Sequence, residues 1–123
     1  EKSLIIGINA VHSGSHIGEI GHAIQTFVQK NGFSVVKSFV GHGIGLKLHE
    51  EPQIPNFGDS GNGPLIKAGM ALAIEPMVNS GSDEVTTLSD GWTVVTKDGS
   101  DSAHFEHTVF VKEESVEILT LSS

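Results

Sequence analysis

The order of apolar and polar residues divides the chain into a helical beginning and a strand-rich remainder. Residues 4–12 have the composition of the end of an apolar helix. A second helix is predicted through about Lys30, because apolar residues recur at helical spacing at Ile17, Ile20, Ile24, Phe27 and Val28. Ser15 or His16 is placed to cap this helix, and Asn31-Gly32 favours an end in the left-handed conformation.

The remainder of the chain predicts strands joined by turns. Asp90-Gly91 is a hairpin signal, and Gly41–Gly63, rich in glycine and proline, is expected to be mostly loop. Helices followed by strands predict an α+β fold with a mainly antiparallel sheet. The predicted strands are Phe33–Val40, Met70–Val78 with an interruption at Glu75, Glu84–Leu88, Trp92–Thr96, His104–Lys112 and Val116–Leu121.

Composition narrows the classes of function. The chain has 123 residues, which is one domain or part of one. Its formal net charge is -8 and lysine and arginine are not clustered, so no nucleic-acid partner is expected. No apolar stretch approaches membrane-spanning length, so no membrane partner is expected either. The absence of cysteine excludes disulfides and fits a reducing compartment, and a cytoplasmic location is expected.

Two glutamates stand among apolar residues, in Ile74-Glu75-Pro76-Met77 and Phe105-Glu106-His107-Thr108. A carboxylate in an apolar strand is costly unless it is hydrogen-bonded, protonated or bound to a metal. Two such acids on central strands make each other harder to bury without a cation. The pair could instead be a glycosidase-like acid and base, but that alternative leaves the histidines unused.

The segment Gly41-His42-Gly43-Ile44-Gly45 places a histidine between glycines that leave room for a ligand. Alone, it fits a loop histidine as well as a metal ligand. It is not a dinucleotide-binding fingerprint, because the glycine spacing differs and no helix follows. With Glu75 and Glu106, His42 would give three protein ligands and an open position, as at a catalytic metal. Imidazole and carboxylate donors suit Zn, Mn, Fe or Co.

His49 lies in a second polar segment, His49-Glu50-Glu51-Pro52. It could bind a metal or donate a hydrogen bond to a substrate carbonyl. The segment is not the helical zinc-protease motif, because Pro52 is excluded from a helix interior and no second histidine follows at that spacing. No serine stands in the context of a nucleophile elbow.

Other histidines and the single tryptophan carry weaker signals. His104 shares a strand face with Glu106 and is a possible pocket residue, whereas His107 points away and is expected to be structural or to orient a ligand. Trp92 is expected either in the core or in the wall of a pocket. Surface positions are expected for His12, His16 and His22.

Three segments closely resemble the type I methionine aminopeptidases: Gly41 to Asn56, Gly69 to Met77, and Asp90 to Thr108. The resemblance runs from about Leu4 to Leu121. Prolidases and Xaa-Pro aminopeptidases, which share the fold, match less well. They typically carry Glu-Pro-Gly and Glu-Asp where this chain has Glu75-Pro76-Met77 and Glu106-His107.

The resemblance implies a pita-bread fold, with two pseudo-symmetric halves around a two-metal site, and removal of the N-terminal methionine from new polypeptides. It implies that His42 and Glu75 bind one metal and that Glu106 bridges both. Glu75 would also shuttle a proton, and His49 would hydrogen-bond the substrate near the scissile bond. The substrate side of the site would further include Trp92, Leu48 and His104.

The chain also departs from the family. The two metal-binding aspartates belong to a first half that this chain does not contain, so residues 1–123 are expected to be the C-terminal half of the catalytic domain. Leu48 stands where many relatives have an aromatic residue, and His104 replaces a common glutamine. The resemblance therefore implies at most one well-held divalent ion here, Co, Mn, Fe or Zn, and negligible activity of the isolated chain.

The expected partners are the N-terminus of a peptide or nascent chain and the missing N-terminal half of the fold. Two alternatives remain at this point. A split half could act as an interaction or assembly module, or associate with itself, since open sheet edges and apolar faces attract partners. The chain could also be a non-catalytic relative, although its retained metal ligands favour the enzyme.

Overall fold

The structure, a computed structural model, describes residues 1–45 and 50–120. Two helices come first, α1 (Lys2–Asn9) and α2 (Gly18–Lys30). Strands follow, at β1 (Ser34–Val35), β2 (Gly41–Ile44), β3 (Glu50–Ile54), β4 (Ala71–Ile74), β5 (Met77–Asn79), β6 (Val85–Thr87), β7 (Val94–Thr96), β8 (Ser102–His104), β9 (His107–Val111) and β10 (Val116–Ile118). Within these ranges, neither helix has the length and apolar character needed to cross a membrane.

Every strand pairing in the described part of the chain is antiparallel, as the sequence predicts. The largest sheet has five strands in the order β10-β9-β4-β2-β3. A second sheet has the order β1-β5-β8, and β6 and β7 form a separate hairpin. The chain therefore enters the larger sheet between β1 and β2, leaves it between β4 and β5, and returns to it between β8 and β9.

The core lies between the two helices and the five-stranded sheet. Both helices contribute one apolar face to it, and each large aliphatic side chain buried in this way contributes about 1.5–3 kcal/mol. The adjacent strands β4 and β9 contribute buried residues to this core, so the residues at their ends stand on a packed base. The buried core residues include Leu4, Ile8, Ile20, Ile24, Ile54, Leu72, Ile74, Val109 and Val111.

Gly41–Gly63, predicted to be mostly loop, also contains two strands, β2 and β3. Glycine is a poor strand former, which is why the sequence favours a loop here. The strand forms because β2 is hydrogen-bonded on both sides, to β4 and to β3. His42 therefore lies inside a central strand instead of in a loop that follows one.

The predicted strands Phe33–Val40 and His104–Lys112 differ most from the structure. Phe33–Val40 contains only the two residues of β1, and Phe33 is exposed. His104–Lys112 is broken at Phe105-Glu106, where the chain leaves the smaller sheet for the larger one. By contrast, the predicted interruption at Glu75 and the hairpin at Asp90-Gly91 are confirmed.

The predicted cap of the second helix is wrong. Helix α2 begins without a side-chain cap, because the Ser15 hydroxyl donates to the His12 carbonyl and the His16 ring donates to the Gly63 carbonyl. The second of these bonds joins the connection ahead of the helix to a distant loop. The predicted left-handed end is confirmed at Gly32, where φ is +80°.

Candidate metal centre

Glu75 and Glu106 both lie where the chain passes between the two sheets. Glu75 follows β4 and precedes β5, and Glu106 lies between β8 and β9. Neither residue is inside a strand, so the prediction that both stand on central strands is wrong. Side chains inside a strand point alternately to opposite faces of the sheet. Because Glu75 and Glu106 lie outside the strands, their side chains can approach each other.

His42 reaches the same place from the neighbouring strand. In the pairing of β2 with β4, His42 stands opposite Ala73, two residues before Glu75. Its Nδ1 lies 3.0 Å from the Gly43 carbonyl oxygen. Because a carbonyl can only accept a hydrogen bond, Nδ1 carries the proton, and the lone pair of the neutral ring is on Nε2. This tautomer suits coordination through Nε2.

These three residues form a compact set of donors. One potential ligand atom from each of His42, Glu75 and Glu106 lies within 4.8 Å of the other two. Glu75 is half-buried, with 19% of its side chain exposed, and Glu106 is exposed. The set therefore has an apolar base and an open side, which leaves access for a further ligand.

The electrostatics of the pair favour a cation. Burial, the hydrogen bond with Glu106 and the charge of that second carboxyl together raise the pKa of Glu75 from its usual 4.5 to about 7, with burial contributing most. Near neutral pH, the Glu75 carboxyl is consequently still partly protonated. A divalent ion would replace this proton and remove the repulsion, so one imidazole and two carboxylates fit such an ion.

His104 is the sequence-predicted pocket residue that lies beside this set. Its Nε2 is 3.8 Å from Glu75 Oε2, a distance for a weak ion pair when the ring is protonated. Nearly half of the His104 side chain is exposed. The residue can therefore contact both Glu75 and a molecule entering from solvent.

The other histidines have structural contacts. His107 Nδ1 lies 2.7 Å from the Thr120 hydroxyl, which agrees with its predicted structural role. His22 donates from Nδ1 to the Gly58 carbonyl at 3.2 Å and so joins α2 to a loop, and His16 joins the segment before α2 to Gly63. His12 is exposed, as expected.

Trp92 does not pack in the core, because 81% of it is exposed. It follows the hairpin turn, where Asp90 accepts hydrogen bonds from the backbone amides of Trp92 and Thr93. The alternative, that Trp92 forms part of a pocket wall, stays a prediction. Leu48 and His49, the remaining predicted substrate residues, lie outside the described residues.

Asn56 is a site residue that the sequence does not single out. Its side chain is fully buried, and Nδ2 lies 3.4 Å from the backbone carbonyl oxygen of Glu75. In the sequence it stands between Pro55 and Phe57-Gly58, where asparagine is typical of a turn. Only the fold shows that this amide points inward toward a candidate ligand.

Comparison with known proteins agrees with this geometry. Residues 1–113 match Metallopeptidase family M24. The methionine aminopeptidase of Clostridium perfringens is 56% identical over 121 residues, which are 98% of this chain and 49% of that protein. The crystal structure of methionine aminopeptidase from Thermotoga maritima superimposes with a TM-score of 0.95 at 48% identity, over 98% of this chain and 49% of that one.

A prolidase from Pyrococcus furiosus shares only the fold, with a TM-score of 0.72 at 20% identity over 99% of this chain and 30% of that one. The predicted pita-bread fold and the resemblance to the C-terminal half of a type I methionine aminopeptidase are thereby confirmed. The chain spans about half the length of the curated relatives it matches. It belongs to metallopeptidase family M24.

Proposed function

We propose that the whole protein is a metal-dependent aminopeptidase that removes the N-terminal methionine from nascent polypeptides, and that this chain supplies the C-terminal half of its active site. The observation that carries the proposal is the convergence within 4.8 Å of His42, from β2, with Glu75 and Glu106, from two crossings between the sheets. The similarity to methionine aminopeptidases supports the choice of reaction.

The group that these residues would hold is a divalent ion, with Co, Mn, Fe and Zn all compatible with the donors. His42 would bind through Nε2, because its Nδ1 proton is held by the Gly43 carbonyl. Glu75 and Glu106 would neutralise the ion. When bound, such an ion acts as a Lewis acid on the peptide carbonyl and lowers the pKa of water. We expect one ion per chain, and two in the whole enzyme.

Side chains of the protein would carry out proton transfer and contact the substrate. We assign the movement of a proton during hydrolysis to Glu75, because a carboxylate beside the reacting carbonyl can accept a proton and return it. His104 lies beside it on the open side of the site. We assign substrate contacts to His104, Trp92, Leu48 and His49, with His49 donating near the scissile bond.

We propose that the isolated chain is inactive and that its principal partner is the N-terminal half of the same fold, in the cytoplasm. An apolar groove of about 580 Å³ lies between the start of α1, the end of α2 and the smaller sheet. Phe33 and Phe105 are exposed at this groove, and Trp92 is exposed on the hairpin. Surfaces of this kind favour association, which also supports the alternative function as an assembly module.

Complementation tests the proposal. The purified chain is mixed with the separately expressed N-terminal half of the Clostridium perfringens methionine aminopeptidase, in the presence of Mn²⁺ or Co²⁺, and release of methionine from a Met-Ala-Ser peptide is measured. We expect turnover from the mixture and none from either half alone. A mixture with Glu106→Gln should associate equally but release no methionine.

Sedimentation of the same mixtures separates the possible failures. Association without turnover for the unaltered chain would contradict the catalytic proposal and favour the assembly module. Turnover by the isolated chain, lost in Glu106→Gln, would contradict the proposed need for a second half. A monomer that neither associates nor binds an apolar dye would contradict the assembly module.

A further inference from the structure

We propose that Asn56 is a positioning residue of the metal centre, because its buried side-chain amide joins the two backbone segments that carry His42 and Glu75. The inference rests on the proposed metal site and adds a residue that makes no contact with the ion. The proposed role of Asn56 is to keep His42 and Glu75 at a fixed distance from each other in the metal-free chain.

The amide of Asn56 is placed between two carbonyl groups. Nδ2 lies 3.4 Å from the Phe39 oxygen and 3.4 Å from the Glu75 oxygen. Both contacts are long, yet together they fix the orientation of the amide, since the reverse orientation would set Oδ1 against two other acceptors. Each of the two amide hydrogens therefore points to one carbonyl.

The two carbonyls belong to the backbone segments that carry Glu75 and His42. One is the backbone carbonyl of Glu75 itself. The other is that of Phe39, two residues before β2 begins and three before His42. Strand pairing fixes His42 relative to Ala73 but ends before Glu75, where the chain leaves the sheet. Asn56 supplies a connection at this point, beyond the last strand hydrogen bond.

Asn56 is itself held by helix α2. A Cβ at Gly21 would lie 2.4 Å from the Phe57 oxygen and 2.6 Å from the Pro55 oxygen, so only glycine permits this approach of helix and loop. Gln25 accepts a hydrogen bond from the Gly58 amide, at 3.0 Å. The loop around Asn56 is therefore anchored on a helix of the core and is not free to follow a displaced Glu75.

Asn79 provides a matched control. It is also fully buried, its Nδ2 donates to the Ser82 carbonyl at 2.9 Å, and its Oδ1, like that of Asn56, has no hydrogen-bond partner within the described ranges. It lies at the end of β5 and donates to neither ligand-bearing segment. Loss of its amide should reduce stability in a similar way, without affecting the metal site.

The experiment compares Asn56→Leu with Asn79→Leu in the full 123-residue chain. Mn²⁺ affinity is measured by calorimetry and by the loss of the free-ion electron spin resonance signal, and thermal unfolding is measured without metal. We expect Asn56→Leu to weaken Mn²⁺ binding by about tenfold. This is the lower end of the loss in metal affinity that follows when a residue hydrogen-bonded to a metal ligand is replaced. Asn79→Leu should bind as the unaltered chain does, with a comparable decrease in melting temperature.

A second variant removes the amide without filling its space. Asn56→Ser is too short to reach both carbonyls and should weaken Mn²⁺ binding as Asn56→Leu does, so the conclusion does not depend on how leucine packs. Unchanged affinity in Asn56→Ser, or equal losses in the Asn56 and Asn79 variants, would overturn the positioning role. Absence of Mn²⁺ binding by the unaltered chain would instead overturn the metal site on which the role rests.

Discussion

The Phe105 amide donates a hydrogen bond to the Pro76 carbonyl, at 3.3 Å. Glu106 and Glu75 are the immediate chain neighbours of these two residues, so one backbone contact brings the β4–β5 and β8–β9 crossings together. The two carboxyl groups consequently face each other at the edge of the core. Their repulsion, and its relief by a proton or a cation, governs the properties expected of the site.

Glu106→Gln should lower the pKa of Glu75 in the metal-free chain. The substitution removes the charge and the carboxyl partner that raise this pKa, while the burial that contributes most to it remains. The pKa of Glu75 should then lie between 4.5 and about 7. Carbon-13 chemical shifts of the glutamate carboxyl groups, followed against pH, measure this value. An unchanged pKa in Glu106→Gln would show that the two carboxyls do not interact.

The stability of the metal-free chain should fall as pH rises from about 4.5 to about 7. In this window the unfolded chain has lost the Glu75 proton while the folded chain keeps it. The folded state therefore binds more protons, and the free energy of unfolding decreases with pH. Urea unfolding at several pH values tests this, with Glu75→Gln as the control whose profile should be flatter. A profile that is the same in both chains would contradict the prediction.

Metal binding should show the opposite dependence on pH. An ion must displace the proton that Glu75 holds up to a pH of about 7, so the apparent affinity for Mn²⁺ should increase from pH 5.5 to neutrality and then level off. Calorimetric titrations in buffers of different ionisation enthalpy should also detect proton release on binding. Affinity that is independent of pH across this interval would argue against Glu75 as a ligand.

The sequence singles out candidate site residues, but it does not predict their positions in the fold. His42, Glu75 and Glu106 stand out because polar residues among glycine, proline and apolar neighbours need a compensating partner. Their placement depends on the register between strands that are distant in sequence, and local patterns do not contain that register. The same limitation explains why glycine-rich β2 resembles a loop in the sequence.

Asn56 was not predicted for a different reason. Its local sequence is that of an ordinary turn, and its importance comes from contacts with residues 17 and 19 positions away. The amphipathic pattern of α2 was readily predicted, but the glycine that lets the Asn56 loop approach this helix has no distinctive pattern. Buried polar residues in loops can therefore be recognised only when the packing around them is seen.

Gly21→Ala should destabilise the chain by about 1–3 kcal/mol, as expected for overpacking. The added methyl group would meet the backbone oxygens of Pro55 and Phe57, which cannot move aside as a flexible side chain can. Gly61→Ala is the matched control, because nothing lies within 4 Å of its Cβ position. Thermal unfolding of both variants tests this contact, and equal melting temperatures would show that the loop is not held against α2.

The metal site is tested most directly by calorimetric titration of the purified chain with Mn²⁺ at pH 7.5. We predict saturable binding of one ion per chain, lost in Glu106→Gln. Glu117→Gln, which removes an exposed carboxylate paired with Lys112 at 3.4 Å on the outer strand of the sheet, should bind as the unaltered chain does. Absence of saturable binding, or equal binding by both variants, would contradict a centre formed by His42, Glu75 and Glu106.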